Sequence, residues 1–252
     1  MQTNSNTRFV SVLYATCITI VILVFVQTVV IGNARYTKRE HECAGRLEQI
    51  GQALRLYAQD YDDYLPVGQE ADMWGTWVRK CEPYSQSVGV FRCGNDTTEM
   101  LPLMQPHSTG TSWAGIRISY GANGWMRREG GRWTVRGVMG LHIEGVDCPA
   151  QALNAIRSPE ATILVTEKHH PGNMSDWGPG CVFTGVHAWD WLAPSVIPDG
   201  SRATEKAGAV TTTHGGLANV LMVDGHVKSM RPEATDPNPS GHPDENMWDA
   251  SR

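Results

Sequence analysis

Residues 9–31 read FVSVLYATCITIVILVFVQTVVI, without one charged side chain. At a rise of about 1.5 Å per residue, about 23 such residues reach roughly 34 Å, enough to cross a bilayer with slight tilt. No helix breaker follows. Gly32 and Gly51 each cost only about 1 kcal/mol relative to alanine, and the first proline is Pro66. Between Arg35 and Tyr61 the apolar positions include Cys43, Leu47, Ile50, Leu54, Tyr57 and Tyr61, spaced alternately four and three apart. That spacing places them on one stripe of a helix. The run and the stripe together predict one continuous helix of roughly 50 residues, about 75–80 Å long. Residues 9–31 would lie in lipid, and residues 32–63 would offer one apolar stripe to a folded domain. A secretory signal has a shorter apolar region of about 7–15 residues after a more basic start, whereas here only Arg8 precedes the run. Gly32-Asn33-Ala34 would pass as its cleavage site. A single-pass anchor accounts for residues 9–31 but not for the uninterrupted continuation.

Of the 252 residues about 35 go to the anchor, leaving roughly 215 for one domain with its own core. A formal net charge of -5 gives no sign of a nucleic-acid surface. Cys17 lies in the apolar run, and Cys43, Cys81, Cys93, Cys148 and Cys181 lie beyond it without any CxxC pair. Zinc-ribbon and thioredoxin readings fail on that spacing. Dispersed cysteines beyond an anchor imply an oxidising compartment, with two disulfides of open connectivity and one free thiol. Arg8 before the run against Arg35, Lys38 and Arg39 after it favours the opposite orientation, with the domain inside. The two arguments conflict, and both stand at this point.

Clustered aspartates (Asp60, Asp62, Asp63) and then Pro66 end the long helix. Val78 to Tyr84 reads as a short helix, Val90 to Cys93 as a brief strand or turn, and residues 97–112 as loop. Ile116 to Tyr120 alternates like a strand ended by Gly121-Ala122-Asn123-Gly124, and Trp133 to Met139 reads as a pairing partner. Ala150 to Ile156 is short and helical in composition. Ala161 to Glu167 (ATILVTE) is a strand of the kind buried on both faces. Residues 168–210 are irregular. Ala218 to Val223 and His226 to Met230 flank Asp224-Gly225, which predicts a two-residue hairpin turn with positive φ at both positions. Residues 233–252, with Asp236, Asp244, Glu245 and Asp249, read as a poorly ordered acidic tail. The fold class is α+β: a long N-terminal helix packed on an antiparallel sheet with large loop insertions. The segments are 1–8, a polar flank; 9–31, in lipid; 32–63, amphipathic; 64–232, the β-rich domain; and 233–252, the tail.

His214, Asp224 and His226, with His169-His170 after the buried strand, make a His/Asp zinc site conceivable, although such residues in loops commonly serve local hydrogen bonds. The tail acids lack the D-x-D-x-D-G spacing of a calcium loop. No G-x-S-x-G elbow or phosphate-binding glycine loop occurs. The nine tryptophans fit packing better than carbohydrate contact. The reading is therefore of no catalytic residue, no cofactor and no metal.

Several stretches in order resemble pilin-like (pseudopilin-like) proteins with a C-terminal H-x9-DG signature. His214, nine residues and then Asp224-Gly225 stand here as HGGLANVLMVDGHVK, and Cys43-AGRLEQIGQALRLYAQDYDDYLP resembles the family's helix. Glu82-Pro83-Tyr84 with Phe91-Arg92-Cys93, Ser119 to Asn123, and Ser158-Pro159 with Thr162 to Glu167 match as well, so the resemblance runs from residue 43 to 228. It implies a pilin-like fold. It also implies a non-enzymatic structural role in the bacterial inner membrane, with the domain on the non-cytoplasmic side, or extracellular if assembled into a filament. The partners would be the lipid bilayer through residues 9–31 and other pilin-like subunits. The signature residues His214, Gly215, Gly216, Asn219, Asp224, Gly225 and His226 are read as structural, with His214 bonding back to the turn or to a loop.

One departure matters. The family's prepilin peptidase site is a Gly before a mature start such as Phe-Thr-Leu-Ile-Glu, but here Arg8 precedes Phe9 and residues 9–31 hold no Glu. That Glu helps neutralise a neighbour's new N-terminal amine in the apolar filament core, where an unpaired charge is costly. Its absence opens an alternative: an uncleaved single-pass envelope protein whose domain is a stand-alone binding module.

Overall fold

The computed structural model describes residues 3–70, 76–85, 87–97, 117–143, 146–169, 182–183, 210–236 and 243–252; the side chains of 3–13, 15, 33–37, 128, 143, 146 and 243 fall outside that description. His170, Cys181, Trp177, Trp189 and Trp191, and nearly all of the loops read at 97–112 and 168–210, also lie outside the described residues. The chain divides into two compact units, Met1–His41 and Glu42–Arg252.

One helix, α1, runs over Thr3–Asp60, 58 residues. In the first unit its described apolar side chains, among them Ile18, Val21, Leu23, Phe25 and Ile31, are all exposed. Among the described residues no helix is long and apolar enough to cross a membrane. The uncharged run itself begins at Phe9, where α1 continues but the side chains are not described.

In the second unit the stripe is buried as its spacing requires: Cys43, Leu47, Ile50, Leu54 and Tyr57 all face the core. Tyr61 departs from it. It lies past the helix end, 51% exposed, with its ring stacked on Tyr57 at 4.2 Å. The helix stops because Asp62 and Asp63 take positive φ, 53° and 65°, and the Asp63 N–H returns to the Ala58 carbonyl at 2.8 Å. That six-to-one bond is the Schellman closure, here with aspartate where glycine is commoner.

After α2 (Trp77–Cys81) the chain forms β1 (Tyr120–Asn123), β2 (Met126–Glu129), β3 (Arg132–Val135), β4 (Leu141–Ile143) and β5 (Val146–Cys148). Then come β6 (Ile163–Glu167), β7 (Val182–Phe183), β8 (Ala218–Met222) and β9 (Val227–Met230). The main sheet has the order β7-β1-β6-β8-β9, antiparallel except for the β1–β7 pair; β2–β3 and β4–β5 are separate ribbons. The chain is thus mixed α and β around one five-stranded sheet.

Three local expectations change. β1 occupies the Gly121-Ala122-Asn123 segment read as a terminator. A side chain at Gly121 would bring its Cβ within 2.7 Å of the Phe183 ring and 2.9 Å of Lys168, so glycine there serves close packing, not a turn. Residues 153–155 form a single 3-10 turn, as do 88–91.

The largest change concerns the tail. Every residue of β8 is buried because the sheet is covered on both faces. Leu221 joins the cluster containing Leu47, Ile50 and Leu54, while Ala218, Val220 and Met222 join a second cluster with Phe183 and Trp248. Trp248 is 0% exposed, and Asn246, Asp249 and Ala250 are buried beside it. The Ile163 N–H donates to the Met247 carbonyl at 2.9 Å, and the Asn123 side-chain amide donates to the Trp248 carbonyl at 2.9 Å. Asp249 is held by Arg136 at 3.0 Å. The acidic count hid Met247 and Trp248, which supply the apolar surface the sheet's second face lacks, so the tail belongs to the domain.

Leu54→Ala should cost about 2–5 kcal/mol and Trp248→Ala about 3–5 kcal/mol by chemical denaturation of the detergent-solubilised chain. A Trp248→Ala protein with wild-type stability would return residues 243–252 to the status of a loose tail.

Candidate functional site

The buried strand β6 ends in a carboxyl group. Glu167 is 0% exposed, and a carboxyl removed from water is costly unless its oxygens are bonded. Three groups meet it. His214 Nε2 lies 2.6 Å from Oε1, the Asn219 side-chain amide donates to Oε1 at 3.1 Å, and the Asn219 backbone N–H donates to Oε2 at 3.1 Å. Asn219 is in turn fixed by β9, whose Ser229 hydroxyl donates to its Oδ1 at 2.6 Å. The Thr166 hydroxyl donates to the Asn219 carbonyl at 2.9 Å.

Gly215 and Gly216 put His214 there. Both have positive φ, 65° and 87°, and they close a two-residue turn in which His214 and Leu217 exchange both backbone hydrogen bonds, at 3.3 and 3.1 Å. A β-carbon is disfavoured at each position, and positive φ at both is the signature of the tight hairpin turn. The geometry expected at Asp224-Gly225 therefore belongs to Gly215-Gly216. At Asp224-Gly225 only Gly225 has positive φ, 94°. The Gly225 N–H donates to the Met222 carbonyl at 2.9 Å and the Met222 N–H to the His226 carbonyl at 2.9 Å, giving a three-residue loop with glycine at its left-handed position. Asp224 Oδ1 accepts from the His226 N–H at 3.1 Å.

The first turn of the domain part of α1 completes the corner. Cys43 is bonded to Cys93 with Cα atoms 5.2 Å apart, closing a sequence separation of 50 residues. A loop of that size stabilises the fold by about 4 kcal/mol in the chain-entropy account. Cys93 Sγ lies 3.6 Å from His214 Nε2 and 3.9 Å from Glu167 Oε1. The Asn95 N–H donates to Cys93 Sγ at 3.4 Å, and the Asn95 side-chain nitrogen sits 3.2 Å from His214 Nδ1. One atom from each of Cys43, Cys93, Glu167 and His214 lies within 4.8 Å of the other three, and all four residues are buried.

A second buried polar centre adjoins it. Asp96 accepts from the Ser119 hydroxyl at 2.7 Å and lies 3.6 Å from Arg117 and 3.9 Å from His169 Nδ1. Burial holds the His169 imidazole below its ordinary 6.5 despite the opposing pull of Asp96 and Glu167. Lys168 is buried too, donating to the Val182 carbonyl at 2.7 Å with its ammonium 4.5 Å from the centre of the Phe183 ring.

The structure therefore splits the signature. His214 and Asn219 meet Glu167, with Gly215-Gly216 forming the turn next to His214, while Asp224, Gly225 and His226 lie at the far end of β8 and take no part. His214 does bond to a loop, through Asn95, but its short contact is with a strand residue. The His/Asp grouping of His214, Asp224, His226 and His169 does not form a site. His226 Nδ1 meets Asp224 locally, and His169 faces Asp96. Sequence reasoning missed Glu167, Cys93 and Asn95 as members of the corner. One signal was present: a single carboxylate closing the apolar strand ATILVTE, which needs a partner from elsewhere in the chain.

Among the described residues there is one disulfide, Cys43–Cys93, and Cys17, Cys81 and Cys148 are free, while Cys181, the fifth cysteine beyond the anchor, lies outside the described residues. Cys81 is enclosed in the core and Cys148 stands opposite Leu141 in the β4–β5 ribbon. Burial pushes the Cys81 thiol far up. No family model, curated protein or solved structure matches the chain.

Alkylation of the native protein should label Cys148 and spare Cys81 until denaturant is added, because the thiolate is the reacting species; peptide mass mapping reads this directly. A double-mutant cycle between His214→Ala and Glu167→Gln should show coupling of about 0.5–3 kcal/mol, whereas His214→Ala and Gly225→Val should add within about 0.5 kcal/mol. Strong coupling in the second pair would restore the signature as one unit.

Proposed function

We propose that this chain is a membrane-anchored, pilin-like structural protein of the bacterial cell envelope, a subunit or accessory of a type IV pilus-like or type II secretion-like assembly, and not an enzyme. The observation that carries the reading is the single helix Thr3–Asp60, which joins the uncharged run of residues 9–31 to the stripe buried in the domain. Such a helix suits a subunit that is held in lipid and can pack beside copies of itself. The buried Cys43–Cys93 disulfide supports a domain on the oxidising, non-cytoplasmic side. The signature residues support a structural role, since each is engaged in a turn or a buried hydrogen bond.

Arg8 before Phe9, with no Glu in residues 9–31, favours a second reading: an uncleaved single-pass protein whose domain acts alone as a binding module. Under both readings the protein should resist alkaline extraction from its own membranes, and its N-terminus, read by sequencing, should lie upstream of Phe9. Recovery in a sheared filament fraction supports the assembly, and strict retention in the membrane selects the stand-alone module. A mature N-terminus at Phe9 would refute the uncleaved form, and full release at alkaline pH would sink both.

A further inference from the structure

We infer that, with Cys43 and Cys93 as thiols, the corner they form with Glu167 and His214 is a four-ligand site for a divalent cation of the zinc class. The donor set is two sulfurs, one imidazole nitrogen and one carboxylate oxygen, the mixed N/S/O chemistry that zinc takes in tetrahedral sites. A tetrahedron with metal–ligand bonds of about 2.0–2.3 Å has edges of roughly 3.3–3.8 Å. Cys93 Sγ to His214 Nε2 is 3.6 Å and Cys93 Sγ to Glu167 Oε1 is 3.9 Å, while the 2.6 Å between His214 and Glu167 must open by less than an ångström.

The surroundings are those of a supported site. The Asn95 N–H already points at Cys93 Sγ, where it would stabilise a thiolate. The Asn95 side-chain amide lies against His214 Nδ1 and, turned to present its oxygen, fixes the tautomer that leaves Nε2 free to ligate. Asn219 orients the Glu167 carboxyl through two hydrogen bonds. Gly94 follows Cys93 and Gly215-Gly216 follow His214 in the chain, and all three glycines are exposed.

The disulfide and the metal exclude each other, because a thiolate is the ligand and a sulfur bonded to sulfur is not one. In the dithiol chain, binding one M2+ releases the two thiol protons. Oxidation by a disulfide-exchange oxidant then removes two electrons from the sulfurs, forms the S–S bond and expels the ion. A phosphine reductant reverses this: the phosphine becomes its oxide with oxygen from water, and two thiols result. The corner is thus a latch that is closed covalently when oxidised and by metal when reduced.

The test uses the full chain in detergent with Co2+ as a spectroscopic probe and Zn2+ as competitor. After phosphine reduction the protein should bind one equivalent of Co2+ with the intense visible bands of a tetrahedral site and sulfur-to-cobalt charge transfer, and Zn2+ should bleach both. The same protein left oxidised should show neither, a comparison that needs no substitution and so no refolding. The Cys81→Ser/Cys148→Ser double variant should keep the signal, Cys93→Ser should abolish it, and Asn95→Ala should weaken binding about 10–100-fold. The inference is overturned if reduced wild type binds no stoichiometric Co2+, if the oxidised protein binds it equally, or if the signal survives Cys93→Ser and follows Cys81 and Cys148 instead.

Discussion

The buried carboxyl of Glu167 is the constraint on which the domain's interior depends. It sits at the end of a strand enclosed on both faces, where water cannot serve its oxygens. The chain must bring donors to it, and they come from two directions: Asn219 from the neighbouring strand and His214 from the turn before that strand. Because a half-satisfied buried group is costlier than none, the elements carrying these donors must arrive together. One carboxyl thereby specifies how β6, β8 and the turn before β8 meet.

Backbone conformation rather than side-chain chemistry sets the approach. Gly215 and Gly216 reverse the chain within two residues and deliver His214 beside the strand that His214 then locks. Gly225 reverses it again at the far end, where a Cβ would lie 2.7 Å from the Arg55 guanidinium of α1. The two ends of β8 thus do different work. One end is a buried polar knot and the other a turn fitted against the helix.

The sheet also explains why residues 243–252 cannot be dispensable. The helix stripe covers one face, and strands as apolar as β6 and β8 leave the other face to be covered as well. Trp248 and Phe183, whose rings meet at 5.1 Å, close it. A segment read as acidic by composition is held by a tryptophan, a methionine and hydrogen bonds to β6 and β1.

What the amino-acid order determined by itself was whatever depends on neighbours in the chain. The alternating spacing of Cys43, Leu47, Ile50 and Leu54 dictates a buried helical face, because residues three and four apart share a side. The runs at 161–167, 218–223 and 226–230 dictate strands, and a glycine after Asp224 marks where the last two reverse. Tertiary structure decided the rest, because the physics there couples residues far apart in sequence. Cys93 and His214 are 121 residues apart and Glu167 and His214 are 47 apart, distances over which no periodicity or turn rule speaks. Which two cysteines bond, which of two glycine turns adopts the tight form, and which residues cover the sheet's second face all follow from where a buried carboxyl and an exposed apolar surface find their partners. Those choices are made only once the strands are in register.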